Sequence, residues 1–222
     1  QRLSSDRQER NQPLTYFDRT GPVGDFFQAL RQQQAQIQIH PTHPTQNQPH
    51  QRIAVLGLGV GTLATYAQPG ESWEFYEIDP AVIAIAQNRQ WFTFLNDSPA
   101  QLTIHAGDGR LGLKQSNDRA FNVIIMDAFS SDAVPVHLLT KEAILLYLSK
   151  LDAKGLILLN ITNRYVDLLP VLAAISADFE LNAIHCWDRR YSDQDRQRGK
   201  TPSHWVIPVS YTHLTLPTNR EV

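Results

Sequence analysis

From Ile53 onward, short apolar runs alternate with stretches whose apolar positions recur every three or four residues. Strands alternating with helices in this way predict a doubly wound α/β domain. Strands are expected at 53–57, 73–78, 102–106, 121–126, 156–161, 182–187 and 204–207. Runs such as Val123-Ile124-Ile125-Met126 are apolar on both faces, which calls for helices on either side of a parallel sheet. Asp79-Pro80 supplies an N-cap and a first-turn proline for a helix to about Arg89. Thr140 caps a second helix with Glu142 in its first turn, ending near Ala153 before Gly155, and a third spans about 166–179, with Pro170 tolerated because it lies in the first turn.

Residues 1–51 read differently, as a polar N-terminal segment and linker. A small apolar patch at Leu14, Tyr16 and Phe17 precedes GPVGDFFQAL, a turn leading into a short helix over 21–30. The stretch 32–51, rich in Gln, His and Pro, has too few apolar groups to offset the entropy of ordering and is expected to be a loop. His40, His43 and His50 lack helical i, i+4 spacing and a nearby carboxylate, so a solvated linker is favoured over a metal site. Residues 52–208 form the expected Rossmann-like domain. The final 209–222, VSYTHLTLPTNREV, resemble the translation of a sequencing adapter and are set aside. Residue 1 is Gln, so the chain is expected to be a fragment, with room upstream in its parent for a membrane-spanning domain.

Composition narrows the function classes. The 222 residues are 42% hydrophobic, enough for one sizeable core, and a formal charge of −2 with pI near 6.5 offers no clustered cations for nucleic acid or an anionic membrane. The lone cysteine, Cys186, fits a reducing compartment, and the cytoplasm is expected. A homodimer is left open.

The candidate chemistry lies where strands end. The first strand runs into Gly57-Leu58-Gly59-Val60-Gly61, with a helix expected to follow, and this loop lets backbone approach a ligand closely at the carboxyl edge of the sheet. A dinucleotide fingerprint would need Gly or Ala at position 62, where Thr62 stands, so the spacing favours ligands of the S-adenosylmethionine type over NAD or FAD; a tight turn without ligand is the bland alternative. Glu77, at the end of the second strand, is placed to accept both ribose hydroxyl protons. Asp108, in Gly107-Asp108-Gly109, can accept from an adenine amine while Gly109 lies against the ring, or else the three residues are only a turn. After the fourth strand, Asp127 is a candidate general base for an amine nucleophile, and Asp132 could hold a second ammonium of the same substrate. Their bland readings are a loop cap and a solvated carboxylate. No metal is called for.

Together GLGVG, YEIDP, GDGR and DAFSSDAVPVHLLT make roughly residues 13–205 resemble the spermidine synthase family, and most of all the spermidine-synthase-like domain fused to membrane transporter segments. The resemblance implies a class I S-adenosylmethionine-dependent methyltransferase fold with a seven-stranded, mostly parallel sheet. It also implies transfer of an aminopropyl group from decarboxylated S-adenosylmethionine to a polyamine such as putrescine. In that family's terms Glu77 resembles the ribose-binding acid, Asp108 and Gly109 the adenine contacts, and Asp127 the catalytic base. True synthases read GGGDG, so Val60 stands where their Asp meets the transferred amine, and DAFSSDAVP stretches their DxxDP loop. Ordinary S-adenosylmethionine in a methyltransferase, and a non-catalytic ligand-binding domain of a membrane protein, are the alternatives.

Overall fold

A computed structural model describes residues 6–39, 51–129, 134–163, 166–189 and 192–209. Seven strands, β1 (Arg52–Leu56), β2 (Ser72–Glu77), β3 (Gln101–Ala106), β4 (Phe121–Met126), β5 (Leu151–Asn160), β6 (Asn182–Asp188) and β7 (Ser203–Val209), form one sheet in the order β3-β2-β1-β4-β5-β7-β6. β1 to β5 are parallel, while β7 runs antiparallel to both β5 and β6. This is the α/β class I S-adenosylmethionine methyltransferase-like fold. The helices are α1 (Arg7–Arg10), α2 (Pro22–Ile39), α3 (Pro80–Gln87), α4 (Phe94–Asp97), α5 (Gly109–Gln115), α6 (Lys141–Lys150), α7 (Leu169–Asp178) and α8 (Asp193–Gln197).

The continuous apolar runs are explained by burial on both sides of the sheet. Ile53, Val55, Val123, Ile125, Leu156 and Leu158 point to a core shared with α2 and α3, whereas their neighbours Ala54, Leu56, Ile124, Met126, Ile157 and Leu159 point to a core with α5, α6 and α7. Helix starts follow local capping. The carboxylate of Asp79 accepts from the Ala81 amide at 2.8 Å, and the Thr140 hydroxyl from that of Ala143 at 3.2 Å.

Four elements differ from the sequence expectation. α2 does not stop near Leu30 but runs to Ile39, because Gln, Arg and Ala are good helix formers even where polar, and Val23, Phe26, Phe27 and Leu30 anchor its first half in the core. The helix expected after the glycine loop is a single 3₁₀ turn, Thr62–Tyr66, soon followed by Pro69-Gly70. α6 ends at Lys150, whose buried ammonium donates to the Ser116 carbonyl and Asp118, and β5 begins at once with Gly155 inside the strand. α7 starts at Leu169 rather than 166, which puts Pro170 in the first turn where its missing N–H costs nothing. His40, His43, His50 and Asp132, for which the sequence raises expectations, lie outside the described residues, as does the tail beyond Val209, itself the last residue of β7. No helix among the described residues is long and apolar enough to cross a membrane.

The segment before α2 is tied to the far end of the chain. The Thr15 amide donates to the Gly199 carbonyl at 2.9 Å, and the Tyr66 hydroxyl donates to the Phe17 carbonyl at 2.6 Å. Beneath it the buried Lys200 ammonium sits 2.8 Å from the buried Asp188 carboxylate and 3.3 Å from the Thr20 carbonyl.

Candidate active site

The carboxyl ends of the parallel strands open into a cavity of about 820 Å³. In open α/β sheets this edge is where ligands bind. Gly57, Gly59, Glu77, Asp108, Gly109 and Asp127 all line it, so the structure brings together nearly every described residue singled out from sequence. Gly61 is the exception: it is buried behind the loop, at the start of the 3₁₀ turn, where a side chain would meet Leu95.

On the β1–β3 side the loop is shaped by backbone contact. Gly57, at φ +98°, leaves no room for a Cβ because the Asp127 carbonyl lies against it. Gly59 also has positive φ, +52°, but faces open space. Glu77 is fixed by two amides: Leu58 donates to one oxygen at 3.0 Å and Asp79 to the other at 3.0 Å. Each oxygen keeps lone-pair capacity toward the cavity, since an ionised carboxylate has about four acceptor sites. Ile78 and Val82 add apolar surface beside it, with Phe92 and Phe94. Asp108 caps α5 by accepting from the Leu111 amide at 2.8 Å, and its second oxygen lies 3.2 Å from His137 Nε2. Its cap role means that the turn reading and the ligand reading are both physically satisfied by one side chain. His137, unassigned in the sequence, joins the site through this contact and through its carbonyl, which accepts from Arg110 at 2.8 Å.

Asp127 stands at the end of β4. It keeps some accessible surface because it faces the cavity, yet protein surrounds it closely enough that burial pushes its carboxyl up to about 7, against the opposing hydrogen bond from Asn160. That bond, from the Asn160 amide to Asp127 at 2.7 Å, is oriented because the Asn160 oxygen is already engaged by the Thr162 amide at 2.9 Å. Tyr16 borders Asp127, and its phenol is raised far above the usual value by burial and then by the Asp127 charge. Asn160 and Tyr16 were not picked out from sequence. Asn160 carried a usable signal, a polar residue ending the apolar run LILLN; Tyr16 carried only its place in an aromatic patch. No group of three or more His, Cys, Asp or Glu suited to a metal ion occurs among the described residues.

No family model matches the chain. A polyamine aminopropyltransferase of Vibrio vulnificus is 29% identical over 116 residues, 50% of this chain and 37% of that protein. An eEF1A lysine and N-terminal methyltransferase of Xenopus laevis is 29% identical over 155 residues, 60% of this chain and 22% of that protein. The chain therefore spans well under half the length of these two curated relatives. Among solved structures, a probable spermidine synthase from Corynebacterium glutamicum superposes with TM-score 0.62 at 20% identity, covering 95% of this chain and 69% of that one. Human methyltransferase-like protein 13, solved with S-adenosylhomocysteine, gives 0.57 at 21% identity and 76% of each chain. None of the four bears on the transporter-fused subgroup. In strand order the chain has the class I S-adenosylmethionine methyltransferase-like fold, and in sequence it is distantly similar along one line to a polyamine aminopropyltransferase and along another to a methyltransferase.

Proposed function

We propose that this domain binds a sulfonium nucleoside, S-adenosylmethionine or its decarboxylated form, and transfers an alkyl group from it to an amine, in the manner of an aminopropyltransferase. The observation that carries the reading is Asp127, a carboxylate raised to about 7 at the boundary between the glycine-loop half of the cavity and an aromatic half. In water an amine near 10 and an Asp near 4 are mismatched by about six units, and at this position about half of that gap is closed. Glu77 would accept from the ribose hydroxyls, Asp108 and Gly109 would flank the adenine, and Gly57 and Gly59 would let backbone meet the nucleoside. The sulfonium supplies the leaving group, so the protein has only to align nitrogen and carbon, exclude water and take a proton.

Methyl transfer is the second reading. Val60 lines the cavity without offering a carboxylate to an aminopropyl ammonium, which favours a donor that has none in that place. A domain that only binds ligand is the third. Calorimetry of the full chain against S-adenosylmethionine, decarboxylated S-adenosylmethionine and methylthioadenosine, followed by transfer assays with each donor labelled on the transferred group, separates them. Aminopropyl transfer is expected; labelled methyl product selects the second reading, and binding with no transfer to any amine or protein selects the third.

A further inference from the structure

Thr15 has a backbone conformation that its side chain disfavours. It lies at φ +59°, in the left-handed region where a β-branched residue is an outlier and where glycine or asparagine is the usual choice. A tight turn is the cause: the Phe17 amide donates to the Leu14 carbonyl at 3.2 Å, which makes Thr15 the second residue of a four-residue turn, a place that favours glycine when φ is positive. The conformation is held from both ends. The Thr15 amide donates to the Gly199 carbonyl at 2.9 Å, Thr15 bridges Lys200 in parallel, and the Phe17 carbonyl accepts from the Tyr66 hydroxyl at 2.6 Å. All of these are backbone contacts of the turn, so glycine at position 15 would make them with less strain. What threonine adds is a side chain with a hydroxyl, and Thr15 lines the cavity together with Tyr16 and Asp127. The Tyr16 ring centroid lies 6.4 Å from that of Phe129, two residues beyond Asp127, so the turn sits against the end of β4.

We propose that Thr15 is a positioning residue for the acceptor: its hydroxyl oxygen accepts one N–H of the amine while Asp127 takes the reacting proton. This rests on the reading of Asp127 as the base and deepens it. In the transfer the ammonium first gives one proton to the Asp127 carboxylate. The freed nitrogen lone pair then forms the new N–C bond as the C–S bond breaks. The electron pair of the broken bond stays on sulfur as a neutral thioether, the product leaves as a secondary ammonium, and Asp127 returns its proton to solvent. Through the attack a primary amine keeps two N–H bonds, and its lone pair stays aimed at the donor carbon only if the nitrogen cannot spin about its own C–N bond. A second acceptor, placed by backbone rather than carried on a long side chain, stops that rotation. Threonine suits the task, since its hydroxyl has two acceptor lone pairs and its β-branch makes χ1 stiff. A strained residue kept at the edge of a reactive site is also where such a role is expected, because the strain has no use in the turn itself.

The test compares Thr15→Val, Thr15→Ser and Thr15→Gly with wild type in the full chain. The acceptors are 1,4-diaminobutane and n-butylamine, and the donors are S-adenosylmethionine and its decarboxylated form, each labelled on the transferred group. Thr15→Val keeps the branched shape and the strain but has no hydroxyl, and is expected to lower kcat/KM for the amine by about tenfold or more while methylthioadenosine binds as before. Thr15→Ser, which keeps the hydroxyl, is expected to recover most of that loss. Thr15→Gly should lose as much activity as Thr15→Val yet melt at an equal or higher temperature, whereas a residue that only shapes the turn would lose stability and activity together or neither. Thr15→Val at wild-type kcat/KM, Thr15→Ser no better than Thr15→Val, or Thr15→Gly melting below wild type overturns the role of Thr15 and leaves Asp127 as the base. If wild type binds methylthioadenosine but alkylates neither amine, the base assignment fails and the role of Thr15 falls with it. Thr15→Gly, relieved of strain, decides the matter even if Thr15→Val does not fold.

Discussion

Asp127 and Asn160 act as a pair across the ends of β4 and β5. Because the Asn160 hydrogen bond favours the charged carboxylate, its removal makes Asp127 a weaker acid and moves its pKa further above the ordinary value. In wild type the rising limb of kcat/KM is expected near pH 7, where the base becomes ionised. Asn160→Ala should move that limb to higher pH, measured as a pH–rate profile. Asp127→Asn keeps shape and hydrogen-bonding reach but removes the base, so turnover should fall by about 10² to 10⁴ with methylthioadenosine affinity nearly unchanged. The same group sets a stability trend. A folded-state value of about 7 against 3.8 unfolded means that its contribution is fully present below about pH 4 and is lost as pH rises through 7. At roughly 1.4 kcal/mol per unit the loss is about 4 kcal/mol, so Asp127→Asn should be the more stable protein at pH 8, by urea denaturation, and should show a flatter trend from pH 4 to 8. Glu77 tests the other half of the cavity. Glu77→Ala is expected to weaken methylthioadenosine by about 2–4 kcal/mol in calorimetry, with part of that from the freed Leu58 and Asp79 amides.

Among elements, the glycine loop separates folding from binding at adjacent positions. Gly57→Ala meets both a positive φ and the β4 backbone, and should cost about 2–5 kcal/mol of stability. Gly59→Ala meets only the positive φ, about 1–2 kcal/mol, but its methyl group projects into open space where the nucleoside is expected, so the larger effect should be on affinity. Melting curves beside a binding titration read both. This loop was legible from sequence because glycine at a strand end has few other uses. Strand positions were legible too, to within a residue or two except at the start of β5, since burial on both faces writes an unbroken apolar run such as FNVIIM, and Leu151–Gly155, mostly outside the core, has none. α2 was misread for the opposite reason: its Gln-rich half carries helix propensity but no apolar stripe, and pattern reading sees only the stripe. Asp127 could be found because it interrupts apolarity at a strand end. Asn160 obeys the same rule at the end of β5. Tyr16 could not be found this way, because what makes it part of the site is a contact with Gly199 made by its neighbour Thr15.

At the scale of the whole molecule, the Lys200–Asp188 pair joins β6, the turn before β7 and the segment leading into α2. Both groups are buried, so removing one leaves the other charged and unpaired. Lys200→Met should destabilise the protein by about 3–5 kcal/mol, and adding Asp188→Leu should recover much of that loss, as read by denaturant titration. The single variant should also loosen Tyr16, raising acceptor KM more than it lowers nucleoside affinity.

The Thr15–Gly199 bond also orders events during synthesis. The strands that carry the glycine loop, Glu77 and Asp108 emerge from the ribosome early and can pair among themselves, whereas Leu14, Tyr16 and Phe17, although they precede those strands in the chain, must wait for residue 200. A nascent chain is thus expected to form the glycine-loop side of the cavity before the side that carries Tyr16 and Phe17. Until the last strands arrive, Leu14, Tyr16 and Phe17 are apolar side chains without their final partners, which makes this short segment the natural place for a holding chaperone to grip.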